Sequence, residues 1–361
     1  MTQSICILRL SSLGDVVNVV PMLRDLQQQL PGAQITWIIG KTEQRLLGDI
    51  EGVEFIGFDK RGGWAAVSEL RRRLGGRRFD ALLIMQRSLR ANLLSTLIRA
   101  PRRIGYDFTR SAELHSLFIK QRISNKPRQH IVELLGSFIE PLGLVPGTPR
   151  WDIPVPAEAR EFAEQQLPPG PPVLLISPCS SVAARTWSAA GYAAVANHAM
   201  QQHGWRVVLC GGRTDAERQM GDAINAALQQ PALDLIGKDT FKRFLALLQR
   251  ADLVLTPDSG PMHMANAMGA KVLGLHAATP AWTSGPYSDR RFCVDRYEEA
   301  ALRFKGKPAA QLPWGTRIHA PGVMDLITAA DAIEAFERYI NSASPLSPSS
   351  GTARACSPGS R

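Results

Sequence analysis

Short aliphatic runs alternate with amphipathic stretches along most of this chain, and the series runs through twice. In the first series the strand candidates are 4–10, 34–39, 52–58, 80–85 and 102–106. Their β-branched and aliphatic content reads as strands buried on both faces. Helical periods separate them. One follows Asp15, with Val16, Val19, Val20, Leu23 and Leu26 on its apolar stripe, and others span 64–74, 89–99 and 130–142. Pro21 lies inside the first of these, so a kink or a late helix start is expected. The second series has strands at 173–177, 206–210, 233–236, 253–256 and 271–276, with helices over 189–203, 215–228 and 240–250. Parallel strands need helical crossovers, so this alternation demands doubly wound parallel sheets. The expected fold is α/β: two Rossmann-like domains facing a cleft.

Prolines separate the two series. Pro146, Pro149, Pro154 and Pro156 precede a short helical stretch over 157–166, and Pro168, Pro169, Pro171 and Pro172 follow it. Such a segment is a semi-stiff link. The expected organisation is a first domain over 1–150, a link over 151–172, a second domain over 173–325 and a closing helix over 326–341. Residues 342–361 are rich in Ser, Pro and Gly and are expected to be disordered.

No apolar run is long enough for a membrane helix, and the N-terminus lacks the basic, apolar and small-residue order of a signal peptide. The cysteines (Cys6, Cys179, Cys210, Cys293, Cys356) are scattered, which suits reduced thiols in the cytoplasm and gives no zinc spacing. Lys and Arg outnumber Asp and Glu by 42 to 32, a net charge of +10. Arg71, Arg72, Arg73, Arg77, Arg78, Arg87, Arg90, Arg99, Arg102, Arg103 and Arg110 place much of that excess in the first third. A surplus of this kind suits an anionic partner, although any single cluster also reads as a solvated helix face. Nucleic acid is disfavoured, because no binding motif or stacking aromatic series accompanies the charge.

No dinucleotide fingerprint, P-loop, nucleophile elbow or HExxH helix occurs. The chemistry must then lie in strand-end loops, where open α/β sheets bind ligands. Three stand out. Ser11–Asp15 ends the first strand, and Asp15 there is either a helix-capping group or a general base, with Gly14 letting substrate approach. Ser180, Ser181 and Arg185 follow the strand at 173–177; they either grip a diphosphate or form an exposed loop beside a packed Trp187. The stretch LVLTPDSGPMHMANAMG (253–269) passes from strand to helix through Asp258, Ser259 and Gly260, with His263 one turn on. It is either a plain corner with Asp258 as N-cap or a phosphate site at a helix N-terminus.

LRLSSLGDVVNVVPML, SPCSSVAARTWSAAGYAAVA and DLVLTPDSGPMHMANAMGAKVLGLHAATP, in that order, resemble family 9 glycosyltransferases, the ADP-heptose:lipopolysaccharide heptosyltransferases. The resemblance runs from about Ile5 to Tyr339. It implies a GT-B fold and an inverting transfer of heptose from ADP-heptose to the Kdo/heptose inner core of lipopolysaccharide. By position it implies Asp15 as base, and Ser180, Ser181, Arg185, Asp258, Ser259, Gly260 and His263 on the donor. Ser259 and Gly260 would meet phosphate and Asp258 the sugar, with Phe241 or Phe244 packing on adenine. On the acceptor side Gly14, Lys60, Arg61 and Arg87 are assigned to acidic sugars. Neither metal nor cofactor is expected, the ADP-sugar being a substrate. The partners implied are a nucleotide sugar, a lipid A–Kdo acceptor and the cytoplasmic face of the inner membrane. Two departures bear on donor and acceptor identity: Asn18 stands where His is frequent, and Arg185–Thr186–Trp187–Ser188 replaces a Lys-led run. Rival readings are a GT-B enzyme using another sugar nucleotide, a sugar-nucleotide epimerase, and a non-catalytic anion-binding scaffold.

Overall fold

The computed structural model describes residues 3–343 and contains two parallel six-stranded sheets, each wrapped by helices. The first lobe runs β1 (Ser4–Leu8), α1 (Leu13–Gln29), β2 (Gln34–Gly40), α2 (Lys41–Leu47), β3 (Val53–Phe58), α3 (Gly63–Leu74), β4 (Ala81–Ile84), α4 (Leu89–Ser95), β5 (Arg102–Gly105) and β6 (Gln121–Arg122). Its strand order is β3-β2-β1-β4-β5-β6. Helices α5 (Ile131–Gly136) and α6 (Ala157–Gln166) lead to the second lobe. There β7 (Val173–Ile176), α7 (Ala189–His203), β8 (Arg206–Leu209), α8 (Asp215–Ala227), β9 (Leu233–Asp234) and α9 (Phe241–Arg250) fill one side. β10 (Leu253–Pro257), α10 (Gly260–Ala267), β11 (Lys271–His276), α11 (Ala281–Ser284), β12 (Val294–Asp295), α12 (Tyr297–Lys305) and α13 (Ala329–Ala343) complete it. The order is β12-β11-β10-β7-β8-β9. In each sheet the order reverses at the first strand, between β1 and β4 and between β7 and β10. Those switch points are where such sheets open a crevice.

Two expectations about helices are corrected. Helix α1 starts early, at Leu13, and continues through Pro21; its apolar stripe is buried on both sides of the proline, so packing outweighs the lost N–H. The stretch expected as one helix over 130–142 is α5 followed by a 3₁₀ turn over Ser137–Leu142 that contains Pro141. The proline-dense segment is packed: Trp151, Ile153 and Val155 are buried in one apolar cluster with Ala159 and Ala163 of α6 and Leu245 and Leu248 of α9.

That cluster also holds Val16, Val20 and Leu23 of α1 and Met262 and Ala265 of α10, so the lobes share a core. Polar bonds reinforce it: Lys242 pairs with Asp49 at 2.6 Å, and the Trp314 indole N–H donates to the Gln129 carbonyl at 2.9 Å. Cys6 and Cys210 are free thiols buried in the sheets, and Cys179 and Cys293 are free and partly buried. Cys356 and most of the Ser/Pro-rich tail lie outside the described residues.

Candidate active site

A cavity of about 590 Å³ lies between the lobes, walled by the C-terminal ends of β1, β4 and β5 on one side and of β7, β10 and β11 on the other. On the first wall Ser12 begins α1. Its N–H and Oγ both donate to Asp15 Oδ2, at 2.9 and 3.0 Å, and Arg9 pairs with the same oxygen at 2.7 Å. Burial pushes the Asp15 carboxyl up, but Arg9 and the Ser12 donors outweigh it and hold it at about 2. Among the described residues no hydrogen bond reaches Oδ1, and the side chain is 30% exposed to the cavity. Of the two roles the sequence left open, the capping one is seen directly. Asp15 closes the first turn of α1 through one oxygen and presents the other, ionised, to the cleft.

Arg9 is itself fixed, donating to the Ser11 carbonyl at 2.8 Å, to the Met85 carbonyl and to the Tyr106 hydroxyl at 3.3 Å. Arg87, from the β4 end, lies over the Tyr106 ring at 5.4 Å and donates to the Arg110 carbonyl at 3.0 Å.

On the second wall β10 delivers Asp258, and Ser259 is the N-cap residue of α10, so the reading of Asp258 as cap is corrected. No side chain caps this helix; Ser259 Oγ turns back to Thr256 Oγ1 at 3.1 Å. Pro261 has no N–H, which leaves the amides of Ser259, Gly260 and Met262 to face an anion, together with the positive end of the helix dipole. Asp258 Oδ2 accepts from Thr279 Oγ1 at 2.6 Å and Ser284 Oγ at 3.2 Å, and Arg185 Nη1 lies 3.2 Å away. Burial would raise this carboxyl, but Arg185, the nearby imidazoles and Thr279 bring it below the ordinary range. Ser180 Oγ donates to the Asp258 carbonyl at 3.4 Å.

The walls touch inside the site. Asn18 Nδ2 bonds His263 Nδ1 at 3.2 Å across the lobes, which puts the ring proton on Nε2, 3.8 Å from Asp258 Oδ1. Burial lowers the His263 pKa against the pull of Asp258 and Asp15, so the imidazole is neutral at pH 7. Gly14 is packed here too: a Cβ added to it would stand 2.5 Å from His263 Cδ2 and 3.3 Å from Gly260 Cα. Gly14 lines the cavity, and its missing side chain also admits the other lobe.

The structure brings Gly14, Asp15, Arg87, Ser180, Ser181, Arg185, Asp258, Ser259, Gly260 and His263 to one cavity. It does not bring Lys60 or Arg61 there. Lys60 pairs with Glu43 at 2.7 Å, and the Arg61 N–H bonds Asp59 at 2.9 Å in an exposed turn. Phe241 and Phe244 are corrected as well: both belong to the interlobe core, and neither lines the cavity. Arg9, Gln86, Tyr106, Thr279, Ser284, Trp314 and Arg317 line it without having been singled out. Arg9 and Thr279 lie inside the first and third resembling segments, a signal that was available; the others are brought in from separate loops and from α11.

Two parallel-sheet lobes facing a cleft give the architecture of the GT-B class of glycosyltransferase. Within that class the chain belongs to glycosyltransferase family 9, the heptosyltransferases, whose family model matches residues 67–312. It is 38% identical to the lipopolysaccharide core heptosyltransferase OpsX of Haemophilus influenzae, over 89% of this chain and 92% of that protein. Among solved structures, the family 9 glycosyltransferase of Veillonella parvula superposes with a TM-score of 0.77 at 21% identity, covering 94% of this chain and 97% of that one. The E. coli heptosyltransferase WaaC with ADP gives 0.70 at 19%, covering 93% and 100%. At those identities the likeness is one of fold.

Proposed function

We propose that the protein moves a heptose from ADP-heptose to the Kdo/heptose inner core of lipopolysaccharide, with inversion at the anomeric carbon and Asp15 as general base. The observation that carries this reading is Asp15 Oδ1, ionised and without a partner among the described residues, in the same cavity as the open N-terminus of α10. In one displacement the acceptor hydroxyl gives its proton to Oδ1, its oxygen bonds to the anomeric carbon, and the bond from that carbon to the diphosphate oxygen breaks. The leaving ADP gains negative charge, which the α10 amides and Arg185 are placed to offset. The donor sugar reaches Asp258 at Oδ1, since Oδ2 is already engaged. The ADP on WaaC and the core heptosyltransferase activity in the name of the Haemophilus relative support donor and acceptor class. Thermal-shift panels of ADP-, UDP- and GDP-sugars, followed by acceptor assays with the best donor, test the reading. Selective stabilisation by another nucleotide would place the chain with a different donor.

A depressed pKa makes Asp15 a weak base but keeps it ionised throughout the working range. Arg9→Met removes the main opposing charge and leaves burial to raise the carboxyl. The acid limb of kcat/KM, near pH 2 for this group in the wild type, should then move up by at least one unit. An unmoved limb would disconnect Arg9 from the reacting carboxylate.

Peripheral attachment to the cytoplasmic face of the membrane is part of the same proposal. No helix among the described residues is long and apolar enough to cross a bilayer. Leu89 (42% exposed), Leu93 (55%), Phe108 (76%), Leu114 (63%) and Leu117 (75%) form an apolar lip on the first lobe. The two segments that carry them are joined where Asn92 Nδ2 donates to the Glu113 carbonyl at 2.9 Å and pairs through Oδ1 with His115 Nδ1 at 2.8 Å. Arg87, Ser88, Ala112 and Glu113 of the same segments line the cavity mouth, so the lip lies where an amphiphilic acceptor enters. Exposed apolar groups beside Arg90 and Arg122 suit an anionic bilayer surface. The double change Leu114→Ser, Leu117→Ser is expected to reduce sedimentation with phosphatidylglycerol vesicles and to lower turnover of vesicle-embedded acceptor about tenfold. Turnover of a soluble acceptor fragment should be unchanged. Equal losses on both acceptors would assign the leucines to the fold.

A further inference from the structure

We propose that His198, His203 and Glu337, on the face of the second lobe where α7 meets α13, bind one divalent transition-metal ion of the zinc class. Both imidazole Nε2 atoms lie 2.6 Å from the same oxygen, Glu337 Oε1, and the three ligand atoms fall within 4.8 Å of one another. The rings are held by packing: Phe336 meets His198 edge-on at 6.1 Å between centroids and His203 at 5.5 Å, and the two imidazoles are 5.6 Å apart. All three side chains are partly buried, with 25%, 23% and 35% exposure, enough to fix them and to leave one side open to water. None lines the cleft.

Two imidazoles and one carboxylate around an open fourth position make a ligand set for Zn²⁺, Co²⁺ or Ni²⁺. Metal arms of about 2.0–2.1 Å set tetrahedral ligand atoms about 3.3 Å apart. The present 2.6 Å contacts therefore need to open by less than about 1 Å, within the freedom of a glutamate side chain. Here each Nε2 carries the hydrogen it donates to Glu337. Binding moves that hydrogen off Nε2, to Nδ1 of the same ring or to water, and the freed Nε2 lone pair takes the ion. Hydrogen bonds from His198 and His203 already hold the Glu337 carboxyl below its ordinary range, against the effect of burial. An ion would tie the C-terminal helix to α7 in place of those bonds. The distance between 203 and 337 explains why the sequence shows no ligand spacing. This site is independent of the transferase reading, since it lies outside the cleft.

The test uses the full chain without a polyhistidine tag. Titration with Co²⁺ should give a visible absorption band that saturates at one equivalent and is displaced by Zn²⁺. Excess Zn²⁺ should raise Tm by about 3 °C or more. His203→Gln and Glu337→Gln should each weaken Co²⁺ binding at least tenfold while keeping the metal-free circular dichroism spectrum and the transfer rate. A titration of the wild type with no saturation at one equivalent overturns the site, and so does equal binding by wild type and both folded variants. If either variant fails to fold, the wild-type stoichiometry and spectrum decide alone.

Discussion

Asp15→Asn is expected to lower kcat by about 10²–10⁴-fold while ADP still binds. The substitution keeps the shape of the side chain and leaves an oxygen to accept from Ser12, so α1 should keep its first turn. It removes the charge that receives the acceptor proton. It also leaves Arg9, only 10% exposed, without its carboxylate, so the cavity becomes more positive. ADP affinity should therefore hold or rise, which separates loss of chemistry from loss of the donor site. Steady-state kinetics and calorimetry with ADP read the two effects. A kcat near wild type would remove Asp15 as the base and leave it as a helix-capping group held by Arg9.

The second large effect is expected at Arg185. Its guanidinium is 12% exposed and its partner Asp258 is 6% exposed, so Arg185→Met strands a buried carboxylate. Breaking a buried pair from one side costs about 3–5 kcal/mol. On the proposed reading donor KM should also rise at least tenfold in the same variant, since the diphosphate would lose a cation. The two losses have different cures. Adding Asp258→Asn neutralises the stranded charge and should recover most of the lost Tm, whereas the donor KM should stay high. If the double variant regained both, Arg185 would serve only to balance Asp258, and the diphosphate would depend on the α10 amides alone. This double-mutant comparison is valid because the two side chains are in direct contact.

The alternation of strands and helices was legible because each element carries its own period, and because burial of both faces of a parallel sheet leaves long aliphatic runs. Elements with little period were not. Helix α2 starts directly from the end of β2 with no loop between, and β6 and β12 have two residues each at sheet edges. The strand-end loops at 11–15, 180–185 and 258–263 were legible because capping and phosphate binding use short, contiguous sets of residue types. Charge without such a setting was not. Lys60 and Arg61 have the chemistry of an acceptor contact, but the turn that holds them spends one on Glu43 and exposes the other. Arg9 shows the opposite failure: it sits near the end of a strand-like run, and only the fold reveals that it clamps Asp15. Thr279 and Ser284 follow β11, yet their meaning depends on Asp258, twenty-odd residues earlier. Phe241 and Phe244 had the residue type for base stacking, and the shared interlobe core claimed them instead.

The contact between α1 and α10 places two glycines, Gly14 and Gly260, face to face between the carboxylate and the donor helix. The approach of the two helices across the cleft is thereby made, at this point, without side-chain atoms between them. One methyl group at position 14 would push against the His263 ring and force the two walls of the cleft apart. The separation of the two walls is thus written as an absence at position 14, whereas a Cβ at position 260 would meet only ordinary contacts from 3.5 Å outward.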